Sequence, residues 1–373
     1  MRLLVLDQFS DTGGAQRCLL DLLQGIGERG WRALVALPGS GELFERVRAL
    51  GFETERVDCG PYTSGRKSAM DVARFAFGTP RLAWQIRRLA DRFQADLVYV
   101  NGPRLLPAAA MARLGRPVLF HSHSYLFAGM VRRLAGLALR RMDAWVVGQC
   151  RFVADPWRPF VRPERISVIY TGVPEPERVM PSRADPQCAG PPARVGCIGR
   201  IAPEKGQREF VAAAARIHRA LPACRFMVYG AALFNQASAA RYEKEVRAAA
   251  AGLPVSFTGW VPDVYAAMAQ LDLLLVPSAG HEATTRVIPE AFAARLPVIA
   301  FAAGGIPEVV ENGVTGLLAS STEEMAQLAI ELLTGDCRRM LSIAQAAHES
   351  WSQRFTLERY QEQVIRAMEA CVG

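Results

Sequence analysis

The chain has 373 residues, of which 50% are hydrophobic and 21% are charged. This length is typical of two domains that each bury a core, and the composition argues against a largely disordered protein. No apolar run reaches the roughly 18 residues of a membrane-spanning helix, and Asp7 and Asp11 come too early for a secretory signal. The eight cysteines form no CxxC pair, so neither a zinc site nor a disulfide framework is indicated, and we expect a cytoplasmic protein.

The positive charge is concentrated in the first half of the chain. The formal net charge is +8, and residues 1–190 hold 27 Lys and Arg against 18 Asp and Glu. Such an excess indicates an anionic partner, namely a membrane surface, a phosphorylated acceptor or nucleic acid, or else a solvated basic face. No nucleic-acid-binding motif accompanies the charge, so we expect no nucleic-acid partner.

Short apolar runs alternate with helical patterns along the first half. Residues 2–9 predict a strand, and residues 16–28 predict a helix because their apolar residues recur at helical spacing. Further strands are predicted at residues 33–37, 97–100, 118–120 and 144–147. Strands that alternate with helices predict parallel βαβ units.

A Pro-rich polar stretch then interrupts the pattern. Residues 181–193, PSRADPQCAGPPA, predict a linker between domains over residues 1–180 and 194–350. In the second domain the predicted strands are 194–198, 225–229, 255–257, 271–276 and 297–300, and the predicted helices are 207–220, 239–250, 264–269 and 287–294. We therefore expect an α/β fold of two facing, Rossmann-like domains with ligands at the carboxyl ends of their strands and a cleft between them.

Two glycines follow the first predicted strand and precede the first predicted helix. Without side chains, Gly13 and Gly14 allow a phosphate or sugar to approach backbone N–H groups at the helix start, although a tight structural turn is the alternative. Other nucleotide motifs fail here: there is no GxxxxGK[ST] and no Asp-x-Asp, and Phe44 occupies the third glycine position of the GxGxxG that Gly39 and Gly41 start.

The second domain begins with a similar strand–loop–helix junction, GRIAPEKG, at residues 199–206. Arg200 and Lys205 lie in this loop, where two cations beside a helix N-terminus suit a diphosphate. The alternative is a pair of exposed surface charges.

Two carboxylates stand eight residues apart in EATTRVIPE. Pro289 is compatible with the first turns of a helix, which places Glu282 in the preceding loop and Glu290 on the helix. Both can then face a ligand, and residues 284–287 offer backbone N–H groups and hydroxyls at the helix start. This spacing alone is a weak signal.

In this order the motifs resemble those of the family 4 glycosyltransferases, which have the GT-B fold. The first domain is similar over GGAQRCLLDLLQGIGERGWRALVAL, and the second over VGCIGRIAPEKG, FTGWVPDVYAAMAQLDLLLVPS and HEATTRVIPEAFAARLPVIAFAAGGIPEVVENGVTGLL. Glu282 and Glu290 fill the Glu-x7-Glu signature of the family. The resemblance is highly specific over residues 195–318 and looser in the first domain.

The resemblance implies a retaining transfer of a sugar from a nucleotide diphosphate sugar to an acceptor hydroxyl, with no metal and no cofactor. By position, Arg200 and Lys205 hold the diphosphate, Glu290 binds the ribose and Glu282 contacts the donor sugar. The other donor-binding residues that it implies are Gly13, Gly14, Gly199, Trp260, Val261, Thr284, Thr285, Arg286 and Val287. It also implies that residues 351–373, with a helix at 357–371, return to the first domain.

The family keeps a histidine at the end of a first-domain strand, where it faces the donor sugar. The sequence FHSHS places this catalytic role on His123, with His121 as the second choice. A two-histidine metal site is the alternative, but no nearby Cys, Asp or Glu completes it. His281 either lines the site or merely flanks it.

The acceptor is expected to be a glycan, a lipid-linked precursor of an envelope polysaccharide, or a soluble small molecule. Residues 131–147 read as a helix with a basic face and an apolar stripe, and they form either a membrane-surface face or an ordinary packed helix. The basic residues are Arg132, Arg133, Arg140 and Arg141, and the stripe is Leu134, Ala138, Met142 and Trp145. We therefore expect a cytoplasmic protein, and the membrane-surface alternative would make it peripheral on the inner face of the plasma membrane.

Two other functions fit a fold of this kind. One is a GT-B sugar-nucleotide epimerase or phosphorylase, against which the Glu-x7-Glu match argues. The other is a non-catalytic nucleotide-sugar-binding subunit, against which the intact Arg200, Lys205, Glu282 and Glu290 argue.

Overall fold

The computed structural model describes residues 1–59, 69–127, 129–177, 193–232, 237–280 and 282–373. The chain forms two compact units. The first comprises Met1–Tyr170 and Glu358–Gly373, and the second comprises Thr171–Leu357.

The first unit is built on a parallel sheet of seven strands in the order β3-β2-β1-β4-β5-β6-β7. The strands are β1 (Arg2–Leu6), β2 (Arg32–Leu37), β3 (Glu53–Arg56), β4 (Leu97–Val100), β5 (Val118–Ser122), β6 (Trp145–Gly148) and β7 (Ile166–Val168). The central strands are continuous apolar runs because both faces of a parallel sheet are covered by helices.

In the described part of this unit, seven helices cover the sheet. They are α1 (Gly14–Glu28), α2 (Glu42–Ala49), α3 (Ala69–Phe93), α4 (Leu106–Ala112), α5 (Gly129–Met142), α6 (Arg151–Ala154) and α13 (Leu357–Val372). Helix α4 contacts both α3 and α5, and the three helices pack in one layer whose buried side chains share a core with the sheet. Helix α13 packs on α1, where the Tyr360 hydroxyl donates to the Cys18 carbonyl oxygen at 3.4 Å.

The second unit has a parallel sheet of six strands in the order β10-β9-β8-β11-β12-β13. The strands are β8 (Arg194–Ile198), β9 (Arg225–Tyr229), β10 (Val255–Gly259), β11 (Leu273–Val276), β12 (Val298–Phe301) and β13 (Leu317–Ala319). Its helices are α7 (Gln207–Ala220), α8 (Ala237–Ala249), α9 (Val264–Met268), α10 (Val287–Ala293), α11 (Thr322–Thr334) and α12 (Cys337–Arg354). The α/β fold with two parallel sheets, predicted from the alternating pattern, is confirmed.

The predicted helix at residues 131–147 is wrong in its last five residues, where the strand predicted at residues 144–147 is confirmed. Helix α5 ends at Met142, and Asp143 has a left-handed backbone with φ of 49°. Trp145–Gly148 is then strand β6, because Val146 and Val147 pair with β5 on one side and with β7 on the other. The residues of the proposed apolar stripe do not share one surface, since Ala138 is buried in the core whereas Leu134 is 55% exposed.

The borders of the two units differ from the predicted domains. Residues 171–177 belong to the second unit, because the Val173 carbonyl oxygen accepts from Trp351 Nε1 at 3.3 Å and the Val173 N–H donates to Phe355. For the same reason α12 stays in the second unit, and the return to the first unit begins at Glu358 rather than at residue 351. The predicted linker, residues 181–193, lies outside the described residues except for Ala193.

Candidate functional site

The loop at residues 199–206 joins the carboxyl end of β8 to α7, at the centre of the second sheet. A buried glutamine braces it, since Gln207 Nε2 donates to the Arg200 carbonyl oxygen at 2.9 Å and its Oε1 accepts from the Ala202 N–H at 3.2 Å. The Arg200 guanidinium lies 2.5 Å from Glu204 one turn later, and its side chain is 25% exposed. The loop therefore presents Arg200 from a fixed backbone.

Lys205 joins this loop to the predicted carboxylate motif. Its Nζ donates to Glu282 Oε1 at 2.6 Å and lies 3.5 Å from Thr285 Oγ1. Both charged side chains are about one-fifth exposed, at 22% and 18%. The tertiary structure therefore brings Lys205, the candidate for diphosphate binding, into direct contact with Glu282, the candidate for sugar binding.

Glu290 lies on α10, as the position of Pro289 in the first turn led us to expect. Its Oε1 accepts from Arg286 Nε at 2.8 Å, and the carboxylate is 8% exposed. Thr284 and Val287 are buried beside it. Each carboxylate oxygen has more than one lone pair, so a carboxylate held in this way can accept further hydrogen bonds.

Two glycines fix the course of these loops. Gly206 has φ of +73°, and a Cβ there would lie 1.9 Å from the Pro277 carbonyl oxygen. Gly304 has φ of +58°, and a Cβ there would lie 2.0 Å from the Glu282 carbonyl oxygen, which also accepts from the Gly305 N–H. The backbone of Thr285 has a positive φ of 38° without being glycine, a conformation that costs free energy and recurs at functional sites.

The remaining second-unit candidates lie at the same edge of the sheet. Gly199 directly follows β8 with φ of +151°, and Trp260 and Val261 directly follow β10. The indole of Trp260 is 43% exposed. An exposed aromatic ring at this edge can stack on a planar base.

His123 lies in a buried polar network in the first unit. Its Nδ1 lies 2.7 Å from Gln149 Nε2, and its Nε2 lies 2.7 Å from Asn101 Oδ1. Gln149 Nε2 can only donate and Asn101 Oδ1 can only accept, so this arrangement requires a neutral ring with its proton on Nε2. Burial lowers the pKa of His123 to about 3. Both ring nitrogens therefore have protein partners in this arrangement, whereas the role expected from the sequence needs a nitrogen that faces a sugar.

The network continues to a buried carboxyl group. Asn101 Nδ2 donates to Asp7 Oδ2 at 2.5 Å, and Gln16 Nε2 and the Phe9 N–H donate to the same carboxyl group. Burial raises the pKa of Asp7 to about 6, although these hydrogen bonds lower it. Asp7, Asn101 and Gln149 were not among the predicted site residues, yet each directly follows a strand of a parallel sheet, which is a signal that could have found them.

His121, the second choice, is fully buried. Its Nδ1 lies 2.6 Å from the Tyr99 hydroxyl, and its ring stacks on that of His123 with centroids 4.0 Å apart. Its Nε2 has no hydrogen-bond partner among the described residues. Burial, and secondarily the neighbouring His123, lowers its pKa well below the usual range.

Gly13 and Gly14 lie at the start of α1, where Gly13 N–H donates to Gln16 Oε1 at 3.2 Å. The backbone at Gly14 is not left-handed, and a Cβ there would have nothing within 4 Å among the described residues. Neither the turn nor the packing therefore requires glycine at residue 14. This favours the ligand interpretation over that of a structural turn.

Neither a metal site nor a membrane-spanning helix is found among the described residues. No group of three or more His, Cys, Asp or Glu side chains there could hold a metal ion. In the same part of the chain, no helix is both long and apolar enough to cross a membrane. His281 lies outside the described residues.

Comparison with known proteins points to one family. The family model for "Glycosyltransferase Family 4" matches residues 12–175, and that for "Glycosyl transferases group 1" matches residues 192–335. The matches do not overlap, and together they cover more than half of the chain.

Relatives and solved structures agree with this result. The chain is 32% identical over 236 residues to 2-deoxystreptamine glucosyltransferase of Streptomyces kanamyceticus, covering 60% of this chain and 58% of that protein. It is 29% identical over 364 residues to 2-deoxystreptamine N-acetyl-D-glucosaminyltransferase of Streptomyces fradiae, covering 83% of this chain and 80% of that protein. Among solved structures, Anabaena HepE in complex with UDP-glucose is similar with a TM-score of 0.81 and 27% identity, over 99% of this chain and all of that one. The chain therefore belongs to the group 1, family 4 glycosyltransferases of the GT-B fold.

Proposed function

We propose that this glycosyltransferase is a retaining enzyme that takes its sugar from a nucleotide diphosphate sugar. The observation that carries the proposal is the contact of Lys205 with Glu282, on a loop that also presents Arg200. It joins a diphosphate-binding cation to a sugar-binding carboxylate at the carboxyl edge of the sheet. UDP-glucose is the first donor to test, because HepE was solved with it and one relative is a glucosyltransferase.

The charges suit the electrostatics of the reaction. As the bond between the anomeric carbon and the diphosphate breaks, the departing nucleotide diphosphate gains negative charge. Arg200 and Lys205 would stabilise that charge more strongly in the transition state than in the bound donor, which lowers the barrier.

Donor binding requires an exchange of partners at Lys205. Without ligand its ammonium group is held by Glu282, and the contact is only partly exposed to water. A diphosphate offers a stronger partner to the ammonium group, and it releases the Glu282 carboxylate to accept from sugar hydroxyls. Lys205 and Glu282 thus each keep a hydrogen-bonding partner before and after donor binding.

Glu290 would bind the nucleoside part. Arg286 holds one of its oxygens at 2.8 Å and so orients the carboxylate. Because each carboxylate oxygen has more than one lone pair, a carboxylate oriented in this way can also accept from a pair of vicinal ribose hydroxyls. Trp260, exposed after β10, would lie against the base.

His123 would act as a neutral polar group. A hydrogen bond from its ring to a sugar hydroxyl requires the contact with Asn101 or with Gln149 to open. The network keeps the imidazole uncharged, so that it would act through hydrogen bonds alone. We propose that the reaction needs no metal ion, because Arg200 and Lys205 would supply the positive charge at the diphosphate.

The acceptor would supply a hydroxyl group. We propose a glycan, a lipid-linked precursor or a small polyol as its class, and the two named relatives favour the polyol through 2-deoxystreptamine. Synthesis of a glycan, glycolipid or envelope polysaccharide is the corresponding role for the other two classes.

Donor hydrolysis without acceptor provides a direct test. The protein is incubated with UDP-glucose, UDP-N-acetylglucosamine and GDP-mannose, and release of the nucleoside diphosphate is followed. We expect release from one donor and its loss in Lys205→Ala, whereas Arg338→Ala, on an exposed arginine of α12, leaves the rate unchanged. NMR of the freed or transferred sugar gives the anomeric configuration, and inversion would overturn the retaining assignment. No release and no stabilising shift with any nucleotide sugar would overturn the donor assignment.

A further inference from the structure

The exposed apolar side chains of this protein are concentrated on one layer of helices. Of the fourteen large hydrophobic residues that are exposed in the described part of the chain, ten lie on α3, α4 and α5 or just before α5. They are Met70, Val72, Phe77, Trp84, Met111, Phe127, Met130, Val131, Leu134 and Leu137. These helices are neighbours on one face of the first sheet, so their outer sides form one surface. We call it the α3–α5 surface.

Helix α3 presents apolar and basic residues in alternation. Six of its exposed residues are spaced alternately four and three positions apart. At 100° per residue, these six fall within an arc of about 80°. They are Met70, Arg74, Phe77, Arg81, Trp84 and Arg88. Phe77 is 86% exposed, and the Arg88 guanidinium lies 5.4 Å from the centroid of the Trp84 ring. Within this row, Arg81 forms an ion pair in which its Nε lies 2.7 Å from Asp58 Oδ2.

Helix α5 repeats the arrangement. Its exposed residues Met130, Arg133, Leu134, Leu137, Arg140 and Arg141 fall within an arc of about 120°. The opposite side is buried in the core through Ala135, Ala138 and Leu139. Arg132 does not belong to the outer face, since its guanidinium contacts the Tyr125 hydroxyl at 2.9 Å and the Leu126 carbonyl oxygen.

The net charge of the chain is explained almost entirely by these helices. Helices α3, α4 and α5 contain nine arginines and two aspartates, and the whole chain carries +8. One of the aspartates, Asp91, is paired with Arg87 and Arg116. Helix α5 has four arginines and no acidic residue.

A surface of this kind fits an anionic lipid bilayer. Aromatic and aliphatic side chains enter the boundary between headgroups and acyl chains, and the arginines between them bind lipid phosphates. A second copy of the chain is a poor occupant, because a symmetric contact would place this arginine-rich face against itself. Three of these exposed apolar residues, Met70, Met130 and Val131, lie in the first turns of α3 and α5. In a parallel sheet those turns are at the carboxyl edge, where His123 follows β5.

We propose that the α3–α5 surface docks the protein on an anionic membrane, with Phe77, Trp84, Met130 and Leu134 inserted in the interface. The proposal does not depend on the identity of the donor. It makes the membrane, or an acceptor within it, a partner of the first unit.

Vesicle binding by two pairs of matched variants tests whether the α3–α5 surface docks on an anionic membrane. Wild-type protein should bind vesicles of phosphatidylglycerol and phosphatidylcholine, and binding should fall as salt rises. Arg74→Glu with Arg88→Glu should weaken binding at least about tenfold, whereas Arg338→Glu with Arg339→Glu, the same charge change on α12, should leave it within about twofold. Phe77→Ser with Leu134→Ser should weaken binding, and Leu50→Ser with Val314→Ser should not.

Insertion is measured separately. Lipids brominated along the acyl chain should quench part of the tryptophan fluorescence of wild-type protein, and Trp84→Phe should remove that quenching. Absence of vesicle binding, or equal losses in the α3 and α12 charge variants, would overturn the proposal. So would binding without quenching that depends on Trp84, which would indicate attraction without docking of this surface. Donor hydrolysis by the same preparations reports separately on the proposed reaction.

Discussion

In the second unit, Nζ of Lys205 lies 2.6 Å from Oε1 of Glu282, although the two residues are 77 positions apart in the chain. The contact links the loop after β8 to the loop before α10. A diphosphate that binds the Lys205 ammonium group would therefore replace Glu282 as its partner. The Glu282 carboxylate would then accept hydrogen bonds from the donor sugar.

Lys205→Ala should therefore weaken the binding of UDP far more than the binding of uridine. Loss of a charge-assisted contact costs about 1.5–3 kcal/mol, or roughly 10- to 150-fold in affinity. Isothermal titration calorimetry with the two ligands measures the difference, and Arg338→Ala is the control for loss of a positive charge. Equal losses for UDP and uridine would show that Lys205 does not contact the diphosphate.

Substitutions of the two glutamates should change the affinities for UDP and UDP-glucose in different ratios. Glu290→Gln should weaken UDP and UDP-glucose alike, by about 1–2 kcal/mol, because it changes an acceptor for ribose hydroxyls. Glu282→Gln should weaken UDP-glucose more than UDP, since it releases Lys205 but takes an acceptor from the sugar. Competition titrations with both ligands give the two ratios. If Glu290→Gln left the affinity for UDP unchanged, the ribose assignment would be wrong.

Gly14→Ala and Gly206→Ala should have opposite consequences. At Gly14 the added methyl group meets no protein atom within 4 Å, so stability should stay within about 0.5 kcal/mol while donor affinity falls. At Gly206 the left-handed backbone alone costs about 1–2 kcal/mol, and the approach to Pro277 adds to it. Urea unfolding and UDP-glucose titration of both variants test this, and unchanged donor affinity in Gly14→Ala would favour a purely structural turn.

Acid should destabilise the protein through His123. Burial lowers the pKa of this imidazole to about 3 in the folded protein, whereas the unfolded chain binds the proton near pH 6.5. The unfolded state therefore binds more protons between these values. The free energy of unfolding should fall by about 1.4 kcal/mol per pH unit from pH 6.5 downwards for this residue. His123→Gln should flatten the slope in urea titrations at pH 7, 6 and 5, and an unchanged slope would contradict the burial of a neutral imidazole.

Asp7 should act with the opposite sign. Its pKa is raised to about 6 by burial, against an ordinary value of 3.8, so the folded state binds more protons between pH 4 and 6. Its contribution to stability is complete below pH 4 and is lost as pH rises through 6. Asp7→Asn should therefore gain stability relative to wild type between pH 4.5 and 7. A difference that does not vary with pH in the same urea titrations would show that Asp7 is ionised throughout.

Local patterns in the sequence determined most of the second unit and the identity of its charged candidates. Apolar periodicity reports burial residue by residue, so β8, β9, β10, β11 and the helices between them could be predicted. Helix α3 was not identified, because Gly78 and Pro80 lie inside it and its outer face carries large apolar residues. Those residues hide the difference between the two faces on which periodicity depends.

Only the tertiary structure decided which side chains meet. Strand order brings the ends of β4, β5 and β6 side by side, so Asn101, His123 and Gln149 form one buried network, although 22 and 26 residues separate His123 from its two partners. That contact occupies the ring nitrogens which the sequence had assigned to a sugar. A motif specifies which residue types are available. The free energy of burying them determines their partners, because a buried polar group must be hydrogen-bonded by whatever the fold places beside it.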